Sequence, residues 1–326
     1  MIELESVPEL VEPVLVAAFE GWNDAGEAAS GVIGHLESTW DAVPVAELDP
    51  DDYYDFQVTR PLVEMTDGET RGITWPTTRV SWARLPTGRD VVLVHGIEPN
   101  MRWRSFCREL VGLMLELDVR NVVLLGALLA DAPHTRPVPV TGAASQASVV
   151  NTLHLEPARY EGPTGILGVL QDACSRADLE TVSLWAAVPH YVAQPPSPKA
   201  TLALLRRVED LLDVTVPLGE LPEEARAWEN GVNELAEEDS EVADYVRTLE
   251  EQKDATELPE ASGDAIAREF ERYLRRATRN DRPPGRRSSG PADDRRGAAR
   301  VTRRGLHWGR SNPPMMARAR REVRPS

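Results

Sequence analysis

The chain has two cysteines, two lysines and four phenylalanines in 326 residues, and no apolar run of membrane-spanning length. Each shortage excludes a class of protein. Cys107 and Cys174 sit in apolar, helix-like stretches, so they read as two buried thiols in a reducing cytosol rather than a disulfide framework. A bilayer span needs about 18 or more consecutive apolar residues, so no membrane partner is expected. The N-terminus carries Glu3 and Glu5 where a secretory leader would place basic residues before an apolar core. The expected location is therefore the cytoplasm. The six histidines and two cysteines form no HxxxH, HxH or CxxC spacing, so no metal site and no cofactor is expected. There is no Walker lysine, no GxSxG elbow and no internal repeat.

What is abundant is acid. The net charge is −17, and it is unevenly spread: residues 275–326 hold 16 arginines against four acids, leaving the rest of the chain near −29. So acidic a body repels nucleic acid and anionic membranes. The segment RPPGRRSSGPADDRRGAAR is too poor in apolar residues to bury a core and is expected to be disordered and solvated; contact with nucleic acid or an acidic surface is the alternative.

Four short apolar runs read as core strands: residues 13–19 (PVLVAAF), 91–95 (VVLVH), 121–125 (NVVLL) and 181–188 (TVSLWAAV). Helical patterns follow them, as in Trp103, Phe106, Leu110, Leu113 and Leu117. Alternating strand and helix predicts an α/β fold with a mostly parallel sheet covered on both faces. Residues 51–85 differ: YYDFQVTR, PLVEM, GITW and TRVSWARL predict antiparallel hairpin strands that extend the sheet edge and make it mixed. Beyond residue 221, Trp228, Val232, Leu235, Val242, Val246 and Leu249 form a heptad-like stripe on an acidic helix, with Asp239 breaking one turn. The stripe is expected to be buried against a last helix over residues 262–276 or against another subunit. The organisation expected is an α/β domain over 1–218, an acidic C-terminal helical extension over 219–279 and a disordered Arg-rich tail over 280–326.

Ligands of a parallel sheet bind outside the strand C-termini. Residues following the four runs converge there: Glu20, Trp22, Asn23 and Asp24; Glu98 and Asn100; Asp131, His134 and Arg136; His190 and Tyr191. They could line one crevice, with His134 and Asp131 as an acid–base pair. Asn23-Asp24 and Asn100 read equally as helix caps, and the His–Asp pair as a loop-fixing hydrogen bond. The loop EGPTGILG places Gly162, Thr164 and Gly165 before a helix, where backbone amides could hold an anion or simply turn the chain.

The segments FEGWNDAGEAASG, DPDDYYDFQVTRP, EPNMRWRSFCREL, LLGALLADAPHTRPVPVTG, YEGPTGILGVL and SLWAAVPHYVAQPPSPK resemble the actinobacterial branch of the proteasome assembly chaperone 2 family. The resemblance spans roughly residues 1–276 and leaves the tail unmatched. It implies a three-layer α/β/α sandwich of the phosphorylase/hydrolase-like type and a homo-oligomer, with a trimer expected. It further implies a chaperone-like or scaffold role with protein partners, proteasome subunits among them, and supplies no catalytic residues. The competing reading is a small-molecule binder or a hydrolase- or transferase-type enzyme using the strand-end crevice.

Overall fold

The computed structural model describes residues 9–66, 70–144, 146–153, 155–157 and 160–257. In chain order the elements are β1 (Val14–Glu20), α1 (Ala28–Thr39), β2 (Val43–Glu47), α2 (Pro50–Tyr53), β3 (Leu62–Thr66), β4 (Thr70–Thr74), β5 (Thr78–Arg84), β6 (Asp90–Ile97), α3 (Trp103–Glu116), β7 (Asn121–Ala130), β8 (Val140–Ala144), α4 (Ala147–Leu153), β9 (Glu156–Pro157), α5 (Ile166–Arg176), β10 (Glu180–Pro189), α6 (Pro198–Leu212), α7 (Leu221–Glu238) and α8 (Ser240–Glu257).

The main sheet has eight strands in the order β2-β5-β6-β1-β7-β10-β8-β9. The four expected core strands lie side by side at its centre, all parallel. Strands β2, β5 and β8 are antiparallel to their inward neighbours, so the sheet is mixed and mostly parallel at its centre, as the sequence predicts.

Period-two alternation divides the core. Val14, Val16 and Ala18 point to one face, where they meet Val32, Ile33, Leu36, Leu204, Leu205 and Val208 of α1 and α6. Leu15, Ala17 and Phe19 point to the other and meet Phe106, Leu110, Met114, Ile166 and Leu170 of α3 and α5. Both faces of β1 are therefore covered, which makes a three-layer α/β/α sandwich. Burying each Leu or Val contributes roughly 1.5–3 kcal/mol, so these two layers hold the fold. Cys107 and Cys174 are free and buried in the second layer, where burial pushes both thiols up to about 12.

Residues 51–85 depart from expectation in two ways. YYDFQVTR is no strand: Asp49 accepts a hydrogen bond from the Asp51 amide at 3.0 Å and starts the short helix α2. Tyr54 then turns inward, its hydroxyl bonded to the Ile97 carbonyl at 2.8 Å and to Thr78 Oγ1 at 3.0 Å. The hairpin β3–β4 forms its own two-stranded sheet rather than joining the main one. The edge is made instead by β5 and by β2, whose buried Val45 and Ala46 carry too short an alternation to stand out in sequence.

The acidic helix is two helices. Asp239 ends α7 and its carboxylate caps α8, accepting from the amide of Glu241 at 2.9 Å. On α7 the buried positions are Leu221, Ala225, Val232 and Ala236, and on α8 Val246 and Leu249. Trp228 and Val242 are half-buried, and Leu235 is 61% exposed, so the expected continuous stripe is only partly a seam. The break at Asp239 resets the helical phase, and the small side chains of Ala225 and Ala236 take the inward face. The expected helix over 262–276 and the Arg-rich tail lie outside the described residues.

Candidate functional site

Among the described residues the contacts of the strand-end residues fall into three groups, the first and third joined where the Glu98 amide donates to the Glu20 carbonyl at 2.9 Å. The first is structural. The Asp24 carboxylate accepts from the amides of Ala29 at 2.6 Å and Ser30 at 3.1 Å, capping α1. Burial raises its pKa, and these bonds oppose the rise. Asn23, 1% exposed, donates from Nδ2 to Glu98 Oε1 at 2.7 Å. The same Glu98 oxygen accepts from the Ile166 amide at 2.8 Å, at the N-terminus of α5. The loop bearing Gly162, Thr164 and Gly165 thus leads to a helix end at which the chain's own carboxylate already sits. Asn100 Oδ1 accepts from the Asp55 amide at 2.9 Å and Thr59 Oγ1 at 3.0 Å, pinning the segment after α2. Trp22 is 66% exposed.

The second place is a seam where α7 and α8 cover the ends of β7 and β10. Tyr191 Oη accepts the His134 backbone amide at 2.8 Å and lies 2.8 Å from His134 Nδ1. With the Tyr191 proton donated to Nδ1, Nε2–H is left to donate to Asn233 Oδ1 of α7 at 3.0 Å. Burial lowers the His134 pKa and keeps the ring neutral. Both ring nitrogens are occupied, so His134 is not a free base. Arg136 reaches Glu250 at 3.1 Å and Asp254 at 2.8 Å, both on α8. Asp131 lies 3.2 Å from His190 Nδ1 and accepts from Tyr245 Oη of α8 at 3.1 Å. The rings of His190 and Tyr191 pack edge-on against Tyr245. Lys199 closes the seam, donating to the His134 carbonyl and to Glu229 of α7.

The third place holds Glu20, with two residues that sequence reading did not single out as partners. His95 lies 3.3 Å from Glu20 and 3.8 Å from Glu37, and Glu37 also accepts from Ser81 Oγ at 2.8 Å. Burial works against a charge on His95, but the two carboxylates outweigh it and push the imidazole up to about 9. In return His95 holds both carboxyls below their ordinary value. The only available signal was that His95 closes the apolar run 91–95 and Glu20 follows the run 13–19. Glu20 and His95 open into a groove of about 1140 Å³ between α1, the start of α6 and α7.

Among the described residues no group of three or more His, Cys, Asp or Glu side chains is arranged to hold a metal ion. No helix among them is long and apolar enough to cross a membrane.

The PAC2 family model matches residues 18–236. A Streptomyces avermitilis PAC2 family protein of known structure is 62% identical over 72% of this chain and 99% of its own, with a TM-score of 0.68. A Mycobacterium tuberculosis proteasome-assembly chaperone homologue is 58% identical over the same shares, with a TM-score of 0.66. An archaeal proteasome activator from Pyrococcus furiosus shares the fold at 16% identity, covering 72% of this chain and 98% of its own, with a TM-score of 0.58. No curated protein sequence matches the chain. The matched span runs from Ala18, near the end of β1, through most of α7, and so includes the other three central strands, most of the sandwich and the first half of the helical cover. The chain belongs to the PAC2 family and groups with its actinobacterial members.

Proposed function

We propose that this protein works by binding other protein chains, as a cytoplasmic chaperone-like or scaffold member of its family. Proteasome subunits are the first candidate clients, since a relative 58% identical to it is described as a proteasome-assembly chaperone homologue. The observation that carries this reading is the β3–β4 hairpin. Val63, Met65 and Ile73, 56–58% exposed, share one face of a two-stranded ribbon outside the main sheet, with Leu62 exposed on its other face and Trp75 just beyond β4. Val63 stands opposite Ile73, and Trp75 is braced edge-on by Phe56 at 4.8 Å. A lone two-stranded ribbon is marginally stable in water, and a contiguous exposed apolar patch marks an interaction surface. Aromatic residues and Met are the types enriched at such surfaces. A homo-oligomer, with a trimer expected, is one use of the ribbon; client binding is the other.

The enzyme reading needs Glu20, Asn23, Asp131, His134 and His190 to face one pocket; against it, their contacts fall into three groups, and of the five only Glu20 lines the groove beside α1 and α7. The test is reconstitution of proteasome α-rings from purified subunits of the same host. The full chain should speed ring formation, and the variant Val63→Ser/Ile73→Ser/Trp75→Ser should not. Sedimentation of both proteins assigns the ribbon to self-association if the variant alone loses mass. Unchanged ring kinetics with the parent chain rejects the proteasome as client.

A further inference from the structure

We propose that the groove between α1 and α7 is the docking site for the chain's own arginine-rich segment, residues 282–304. The groove is lined by four carboxylates, Glu20, Glu27, Glu220 and Glu224, and by no Lys or Arg among the described residues. Glu27, Glu220 and Glu224 are exposed, and their carboxylates form no hydrogen bond or ion pair with any described residue. Their neighbours on α7 differ. Glu223 is paired with Arg226, and Glu229 with Lys199. Glu27, Glu220 and Glu224 thus line the groove without a cation, while Glu20 there is paired with His95.

The shape fits an extended basic peptide. The floor is the face of α1 that carries Ser30, Gly31, Gly34 and Ser38, and nothing stands within 4 Å of where a Gly34 side chain would be. A backbone can therefore lie close to the helix. One wall is the half-exposed Trp228, whose indole offers a face on which a guanidinium stacks. Arginine forks also pair with carboxylates through two parallel hydrogen bonds.

The segment matches in charge and length. Residues 282–304 hold eight arginines and two aspartates, spaced by Gly, Pro, Ser and Ala. The described chain ends with α8 at Glu257, leaving 24 residues before Arg282. Fully extended, that connection reaches about 80 Å. α7 and α8 have 18 residues each, so even laid end to end they span only about 54 Å. Tethering raises the local concentration of the segment to the millimolar range, enough for weak charge pairing to hold it.

The test uses the full chain with a photoreactive phenylalanine analogue in place of the exposed, groove-lining Ala227. Equal amounts of light and isotopically heavy protein are mixed, irradiated and mapped by mass spectrometry. The expected crosslinks join position 227 to peptides from 282–304 of the same isotope. Their yield should fall severalfold in about 0.5 M salt, where surface charge attraction is screened. It should fall likewise in Glu27→Gln/Glu220→Gln/Glu224→Gln and in Arg286→Gln/Arg287→Gln/Arg295→Gln/Arg296→Gln. Crosslinks that are absent, that land elsewhere, that join light to heavy chains, or that survive both sets of substitutions overturn the proposal. Trypsin gives a second readout on the unmodified chain. Cleavage after the arginines of 282–304 should be slower in the parent than in the triple Glu→Gln variant, and equal rates reject docking.

Discussion

Arg136 grips Asp254 with two prongs, Nε at 2.9 Å and Nη2 at 2.8 Å, and so ties the loop after β7 to the far half of α8. The guanidinium holds the Asp254 carboxyl below its ordinary pKa, against the opposing effect of burial. Glu250 takes the remaining arm. Arg136→Met should leave the sandwich intact and loosen α8. Hydrogen exchange checks this: amides of 240–257 should lose protection ahead of those in β1 and β7. Equal protection in both proteins would show that the apolar contacts of Val246 and Leu249 suffice.

The His95 triad gives stability a pH dependence of known sign. His95 has a raised pKa, so its contribution is full below about 6.5 and is lost as pH rises through about 9. Glu20 and Glu37 have lowered values, so theirs is present above 4.5 and is lost as pH falls through the lowered values. Stability should therefore drop on the alkaline side by on the order of 1–3 kcal/mol. Denaturant melts of the parent and of His95→Gln across that range check this. The difference between the two proteins should shrink as pH passes 9.

Two residues on α7 should respond very differently to the same substitution. Val232 is buried at 5% exposure, and Val232→Asp places an unpaired charge in the packed face. It should cost several kcal/mol or prevent α7 from docking, since an isolated buried charge is among the most destabilising changes. Leu235→Asp, at an exposed position, should stay within about 0.5 kcal/mol of the parent. Urea denaturation of the pair separates them.

Gly165 carries a close approach that alanine cannot make. A Cβ there would lie 2.2 Å from Asn23 Oδ1, and Asn23 is buried and fixed by Glu98. Gly165→Ala should cost about 1–3 kcal/mol, as overpacking does. The double variant with Asn23→Ala should cost less than the sum of the two single variants, because the clash partner is gone. Strict additivity in thermal melts would mean that the two residues do not meet.

The sheet was legible because its central strands are buried on both faces, so each appears in sequence as an unbroken apolar run. The edges were not. Val43–Glu47 has two buried residues, and the aromatic pair Tyr53–Tyr54 mimics a strand while serving as an anchor for a loop. The site residues were found as a set because they follow strands, but their grouping depends on side-chain direction and on what covers the edge. Nothing in the spacing of His134 tells that Asn233, 99 positions later, accepts a hydrogen bond from its ring. Likewise Glu37 sits in the last part of a helix, and its meeting with His95 depends on how α1 packs against β6.

Among the described residues the first strand in chain order, β1, lies at the centre of the main sheet. Val14 pairs with Val91 on one side and Asn121 on the other. On a ribosome adding about 5–20 residues per second, β1 waits roughly 4–15 seconds for its first partner strand to be synthesised, and longer for its second. Through that interval a segment apolar from Val14 to Phe19 has both edges unpaired, and the face that α3 and α5 later cover is bare. The nascent chain therefore passes through an aggregation-prone window between the synthesis of β1 and that of β6 and β7, and slower translation lengthens it.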